Sequence, residues 1–232
     1  MNQNKFIEEL KKINIELSEK QINQLEKYYE LLIEWNKVMN LTGITEKESV
    51  YLKHFYDSLT LAKIIDLNKV NTLCDIGSGA GFPGIVIKIV FPNLKITLVD
   101  SLNKRINFLN HVIEKLELKD IEAIHYRIEE YASIKRNYFD VVTARAVAPI
   151  NTLLEYAIPV TKENGYFVAM KGKIDNEVAF NNASKLLNAN LINTIKFDLP
   201  IENSERTLLL FKKQKDVKKY PRKYSEIKKR PL

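Results

Sequence analysis

Thr72-Leu73-Cys74-Asp75-Ile76-Gly77-Ser78-Gly79-Ala80-Gly81-Phe82-Pro83-Gly84 sets a short apolar run against four glycines, in a chain that has seven glycines in all. Between a strand and a helix, glycine lets the backbone bend sharply and brings main-chain amides close to a ligand that side chains would otherwise block. The bend therefore reads as a binding site, with Asp75, Gly77, Gly79 and Gly81 as candidate contacts. Its spacing does not name the ligand, because Gly77, Gly79 and Gly84 also fit the dinucleotide pattern G-x-G-x-x-G.

Two acids refine that reading. Asp75 stands just before the first glycine, where dinucleotide sites usually carry an apolar residue, and it is placed to orient the loop and reach the methionine part of S-adenosylmethionine. Asp100 ends the next apolar run, Ile96-Thr97-Leu98-Val99-Asp100, where a carboxylate can accept from ribose hydroxyls. Both S-adenosylmethionine and NAD present those hydroxyls, so Asp100 argues for a nucleoside without fixing its kind.

Outward from the bend, β-branched runs alternate with amphipathic helices. Strands are expected at Thr72–Ile76, Lys95–Val99, Ile121–Tyr126, Phe139–Ala144 and Tyr166–Met170, with helices near Pro83–Val90, Leu102–Leu116 and Ile150–Val160. Such alternation implies parallel strands joined by crossover helices. After a polar helix near 175–189, the runs Leu191–Phe197 and Thr207–Phe211 follow without room for a helix and read as an antiparallel hairpin. The expected fold is α/β: a Rossmann-like, doubly wound sheet of the class I methyltransferase layout, five parallel strands plus a C-terminal hairpin. Upstream, Ser18-Glu19-Lys20-Gln21 and Thr45-Glu46-Lys47-Glu48 have the form of helix starts. This gives three regions: a helical N-terminal cap over 1–66, a methyltransferase domain over 67–213 and a basic C-terminal tail over 214–232.

Composition bounds the rest. Hydrophobic residues make up 45% and charged residues 28% of the 232, as in an ordinary globular protein, and no apolar run approaches the ~20 residues that span a bilayer. The opening residues have no secretory signal, so a soluble, cytoplasmic protein is expected. The lone Cys74 cannot form an internal disulfide and suits a buried position. Net charge is +7, yet ten Lys or Arg and only two acids fall within Lys212–Leu232, whereas the other 211 residues hold 26 basic and 27 acidic side chains. Cations interleaved with Tyr220 and Tyr224 suit phosphate contact and base stacking. A solvated lysine-rich terminus fits the charge equally well.

Beyond the bend, the third strand runs into His125-Tyr126-Arg127-Ile128-Glu129, where Ile128 and Glu129 would border the adenine. Arg145 ends the fourth strand at the edge where open sheets bind ligands. It could contact the cofactor carboxylate or a substrate phosphate, or form an ion pair with Asp75 or Glu129. His54 and Asp57, one helical turn apart in the cap, could line a substrate pocket or tie the cap to the sheet. The three histidines, His54, His111 and His125, have no metal-site spacing, and no metal is expected.

These residues together resemble a known family. Asp75 through Gly84, with its Phe-Pro pair, is similar to the glycine loop of the bacterial small-subunit ribosomal RNA guanine-N7 methyltransferases, the glucose-inhibited division protein B family. Trp35 through Thr42, His54 through Leu59, Ala144-Arg145-Ala146, Met170-Lys171-Gly172 and Tyr220-Pro221-Arg222-Lys223 are similar too, in the same order. After that last stretch family members often carry Gly and Pro, where this chain has Tyr224-Ser225-Glu226-Ile227.

The resemblance implies S-adenosylmethionine as cofactor, contacted at Gly77, Phe82, Ile128, Glu129 and Arg145. It implies as substrate a guanosine in the decoding-region loop of 16S ribosomal RNA, methylated on nitrogen 7, within the small subunit or its precursor. Lys171, Arg222 and Lys223 join His54 and Asp57 as candidate substrate contacts, and a monomer is expected. Guanine nitrogen 7 has an in-plane lone pair and no proton, so no general base is needed; Arg145 and Lys171 are expected to position cofactor or phosphate and to stay off the reacting nitrogen. A protein or small-molecule substrate, or an RNA-binding module without catalysis, are the rival readings.

Overall fold

A computed structural model of the chain describes residues 1–174 and 180–232. Helices come first. Asn2 caps α1 (Gln3–Lys11), and Ser18 with Gln21 forms the expected capping box on α2 (Glu19–Met39). The second start lies one residue later than expected: Glu46, not Thr45, caps α3 (Lys47–Val50), because its carboxylate reaches the amides of both Glu48 and Ser49. The chain continues through a π-helical turn, Tyr51–Tyr56, into α4 (Asp57–Leu59).

Strands and helices then alternate: β1 (Thr72–Ile76), α5 (Gly84–Val90), β2 (Lys95–Asp100), α6 (Asn103–Lys115), β3 (Ile121–His125), α7 (Ile128–Ile134), β4 (Phe139–Arg145), α8 (Ile150–Ala157) and β5 (Thr161–Lys171). Next come α9 (Asn181–Leu186), β6 (Ala189–Asp198), β7 (Glu205–Lys213) and α10 (Tyr224–Lys229). The polar helix expected near 175–189 falls partly on residues 175–179, outside the described residues; α9 is its described part.

The seven strands form one sheet in the order β3-β2-β1-β4-β5-β7-β6. β1 to β5 pair in parallel, and β7 lies antiparallel to both β5 and β6. This is the expected layout of five parallel strands closed by a hairpin. Strand order reverses at β1, so the crevice beyond its carboxyl end is where the bend sits.

Both faces of the sheet are covered, and side-chain alternation divides the core accordingly. Leu73, Val141, Val168 and Leu208 join the α1, α2, α5 and α6 side. Cys74, Val142, Ala169 and Leu209 face α7, α8 and α9. Cys74 is fully buried, as expected.

The cap is bound to the sheet domain by polar groups as well as by apolar burial. Helix ends leave carbonyls without partners. Gln21 Nε2 donates to the carbonyls of Ile89 and Val90, each at 2.9 Å, where α5 ends. Gln24 Nε2 does the same for Leu116 after α6, at 2.8 Å. Tyr28, wholly buried, stacks on Phe55 and donates its hydroxyl to the carbonyl of Ala80, inside the glycine bend.

The basic tail is folded onto the domain. Tyr220 is 5% exposed, so its ring is not free to stack on a base as the sequence suggested; apolar burial claims it. No helix among the described residues is long and apolar enough to cross a membrane.

Candidate functional site

The bend is a lattice of internal hydrogen bonds. Gly77 N donates to Val99 O at 2.8 Å and Ser78 N to the same carbonyl at 3.3 Å. Gly79 N donates to Asp100 Oδ2 at 2.9 Å, while Gly81 N and Phe82 N share Ser78 O at 2.7 and 3.1 Å. Five main-chain amides of the bend are thus used within the protein. What the glycines supply is room. At Gly79 (φ +59°) an added Cβ would meet nothing closer than Gly77 O at 3.9 Å.

Asp75 and Gly81 stand behind this surface. Asp75 is fully buried, lines neither cavity described below, and accepts from Gly84 N through Oδ2 at 3.0 Å. Its Oδ1 has no hydrogen-bond partner, and burial pushes the carboxyl up to about 7, opposed by the Gly84 amide. Asp75 holds the loop through the Gly84 amide and is exposed to neither cavity. Gly81 (φ +95°) packs against Ile85, Tyr28 and Leu109 and lines neither cavity either.

Two cavities flank the bend and meet at Gly77, Arg105 and Ala146. The larger, about 630 Å³, is lined by Asp100, Tyr126, Ile128 and Glu129. Asp100 is buried and accepts from Gly79 N, from Leu102 N at 2.9 Å through Oδ1, and from Arg105 at 3.2 Å. A carboxylate has about four acceptor positions, so one stays open on Oδ1, enough for a ribose hydroxyl. The spare Asp100 acceptor and the Ile128–Glu129 wall fit a nucleoside such as that of S-adenosylmethionine, while Gly79 opens onto the smaller cavity.

The smaller cavity, about 500 Å³, is lined by His54, Asp57, Phe82, Arg145, Lys171 and Arg206, among others. Arg145 Nη1 donates to Asp57 Oδ2 at 3.0 Å and to Lys53 O at 2.8 Å. Its ion-pair partner is therefore Asp57, rather than Asp75 or Glu129. The other Asp57 oxygen, Oδ1, takes Arg206 Nε at 3.1 Å.

Arg145 Nη2 lies 3.2 Å from His54 Nδ1. A guanidinium only donates, so Nδ1 accepts and Nε2 carries the proton toward Thr42 Oγ1 at 2.9 Å. Burial, then the Arg145 charge, hold the imidazole down at about 3. His54 also stacks on Phe82, with ring centroids 4.3 Å apart. His54 and Asp57 thus tie the cap to the sheet, and both line the smaller cavity.

Lys171 Nζ donates to Ala148 O at 2.8 Å, and burial lowers its pKa. Arg222 turns inward, holding the buried Glu155 through Nε at 2.8 Å and Nη2 at 2.6 Å, whereas Lys223 is exposed. Two members of the site escaped the sequence reading. Arg105 lies five residues past Asp100, in the first turn of α6, a signal that was available. Arg206 shares a strand face with Leu208 by two-residue alternation, but nothing local marks it as part of a site.

The model of the family described as rRNA small subunit methyltransferase G, GidB, matches residues 21–203. A ribosomal RNA small subunit methyltransferase G from Lysinibacillus sphaericus is 52% identical over 238 residues, covering all of both chains. One from Exiguobacterium sibiricum is 49% identical over 237 residues, again across all of both. Among solved structures, a SAM dependent methyltransferase from Aquifex aeolicus has a TM-score of 0.55 at 17% identity, covering 72% of this chain and 93% of its own. A predicted O-methyltransferase from Agrobacterium tumefaciens has a TM-score of 0.58 at 15% identity, covering 68% and 81%; at such identities the likeness concerns the fold. The chain belongs to the rRNA small subunit methyltransferase G family and is an S-adenosylmethionine-dependent methyltransferase.

Proposed function

We propose that this enzyme methylates nitrogen 7 of one guanosine in the decoding-region loop of 16S ribosomal RNA, acting in the cytoplasm as a monomer on the small subunit or its precursor. The observation that carries the choice of atom is the state of the acids and bases in the smaller cavity. Asp57 is held by two arginines, and neutral His54 has both ring nitrogens engaged. A cavity whose Asp57 and His54 are both engaged suits a nucleophile that has no proton to lose, and guanine nitrogen 7 is one.

In this reading residues 1–66 present the substrate, 67–213 hold the cofactor and 214–232 add phosphate contacts. Asp100, Ile128 and Glu129 hold the nucleoside, and Gly77, Gly79, Phe82 and Arg145 the methionine end. Bound there, S-adenosylmethionine supplies an electrophilic methyl on a sulfonium. The protein's contribution is alignment, which can supply up to ~7–11 kcal/mol. Positive charge passes to the purine during transfer, so a bare cation beside the ring would oppose it. Asp57 pairs with both Arg145 and Arg206 and offsets one of their two charges, and Lys171 and Lys223 serve as phosphate contacts.

The test is to incubate the enzyme with labelled S-adenosylmethionine and small subunits lacking the modification, with protein-free 16S rRNA in parallel. Borohydride and aniline should then cleave the RNA at one labelled guanosine of the decoding region. Label that resists cleavage, or that maps elsewhere, contradicts the proposal.

A further inference from the structure

The larger cavity has an outer wall that neither the glycine bend nor the strand ends provide. Tyr224, Ile227, Lys228 and Pro231, all from the C-terminal tail, line it together with Asp100 and Ile128. Several contacts fix this segment in place. Arg222 holds Glu155 in a two-pronged ion pair, Ile227 is 1% exposed, and Asn151 Nδ2 donates to Leu232 O at 2.9 Å.

Inside the cavity the tail reaches the residues assigned to the base. Arg127 Nε donates to Glu129 Oε1 at 2.6 Å, and the Arg127 guanidinium carbon lies 3.6 Å from the centre of the Tyr224 ring. Glu129, Arg127 and Tyr224 thus form one continuous stack from α7 to α10. The segment is basic, and its cations are repelled by Arg127. What it contributes there is an aromatic ring and an apolar side chain.

We propose that the C-terminal tail is the outer wall of the adenosine pocket, and that Tyr224 and Ile227 bind the purine nucleoside half of the cofactor. This rests on the larger cavity being the cofactor site. An aromatic ring stacked on a purine removes one face of each from water, and truncating such a ring costs about tenfold or more in affinity.

The test is calorimetry on the full chain with two probes, S-adenosylhomocysteine and 5′-methylthioadenosine, the second lacking the amino acid half. Tyr224→Ala should weaken both by the same factor, about tenfold or more, whereas Tyr224→Phe should restore affinity. Lys229→Ala, exposed and outside the cavity lining, should leave it unchanged. Circular dichroism checks that each variant is folded. Independently of any substitution, S-adenosylhomocysteine should slow tryptic cleavage after Lys223 and Lys228 in the unaltered protein. Affinity for both probes unchanged by Tyr224→Ala overturns the wall. Failure of the unaltered protein to bind either probe overturns the cofactor assignment beneath it, and the wall with it.

Discussion

Two glycines of the bend, two residues apart, should fail in opposite ways when each becomes alanine. At Gly81 (φ +95°) a Cβ would come within 2.5 Å of Ile85 Cγ1, 2.6 Å of Tyr28 Oη and 3.1 Å of Leu109 Cδ2. The left-handed backbone costs ~1–2 kcal/mol for an L residue, and forcing a methyl into a filled site costs ~1–3 kcal/mol. Gly81→Ala should therefore lose about 2–5 kcal/mol and, at ~2–4 °C per kcal/mol for a chain of this size, some 4–20 °C in Tm.

At Gly79 (φ +59°) the added methyl meets nothing nearer than 3.9 Å. Only the backbone term applies there, offset by the ~0.4–1 kcal/mol by which alanine stiffens the unfolded chain, for a net loss of about 1 kcal/mol. That methyl would, however, project into the room that the bend leaves for the cofactor. S-adenosylhomocysteine should bind about tenfold or more weaker, a loss of ~1.4 kcal/mol or more. Thermal melts and calorimetry on the two variants separate stability from affinity. If Gly79→Ala binds like the parent, or melts as early as Gly81→Ala, the division of labour drawn within the bend is wrong.

Further outcomes follow from the same geometry. Asp100→Ala leaves the part-buried Gly79 N and Leu102 N without their acceptor, at up to ~1–3 kcal/mol for an amide that water does not reach, so calorimetry should show cofactor affinity and melts should show stability falling together. Arg222→Ala strands the buried Glu155 carboxylate, at about 3–5 kcal/mol unless the tail lifts off to hydrate it; Tm should fall and proteolysis of the tail speed up, and adding Glu155→Leu should reverse part of the loss in Tm. Because the folded Asp75 carboxyl is raised from 3.8 to about 7, its contribution is fully present below pH 3.8 and fades as pH climbs to about 7. The Tm of Asp75→Asn relative to the parent should accordingly rise across that window, and a difference independent of pH would contradict the burial effect. Replacing the exposed Lys218, Lys219 and Lys223 with alanine should shrink the slope of log K against log salt for RNA binding by about 0.7 per lost phosphate contact.

Most of the sheet was legible because β-branched runs, glycines and helix caps act within a few residues of themselves. Thr72–Ile76 reads as a strand, and Ser18 with Gln21 as a helix start, from local chemistry alone. Glu46 displaced Thr45 as a cap because a longer carboxylate can reach two amides at once, a choice that the shared spacing hides. The lining of the larger cavity was legible for the same local reason, with Asp100 ending β2 and Ile128–Glu129 opening α7 just after β3.

The smaller cavity was legible only in part: His54, Asp57, Phe82, Arg145 and Lys171 were candidates, but Arg206 and the pairing among these groups were not. Its centre, Asp57, is set by two arginines 88 and 149 residues away in sequence, and only the folded sheet brings β4 and β7 under the cap. The tail misled for a related reason. Its charge count was right, but charge says nothing of Glu155, buried on α8 and waiting for Arg222, or of the apolar shelter that takes Tyr220 and Ile227.

The central claim, that the bend and Asp100 together hold the cofactor, is tested most directly by a crystal structure of the enzyme with S-adenosylhomocysteine. The ribose should hydrogen-bond Asp100 Oδ1, with the purine against Ile128 and Glu129 and the sulfur beside Gly77. A ligand seated elsewhere, or an Asp100 whose only partners remain Gly79, Leu102 and Arg105, would contradict it.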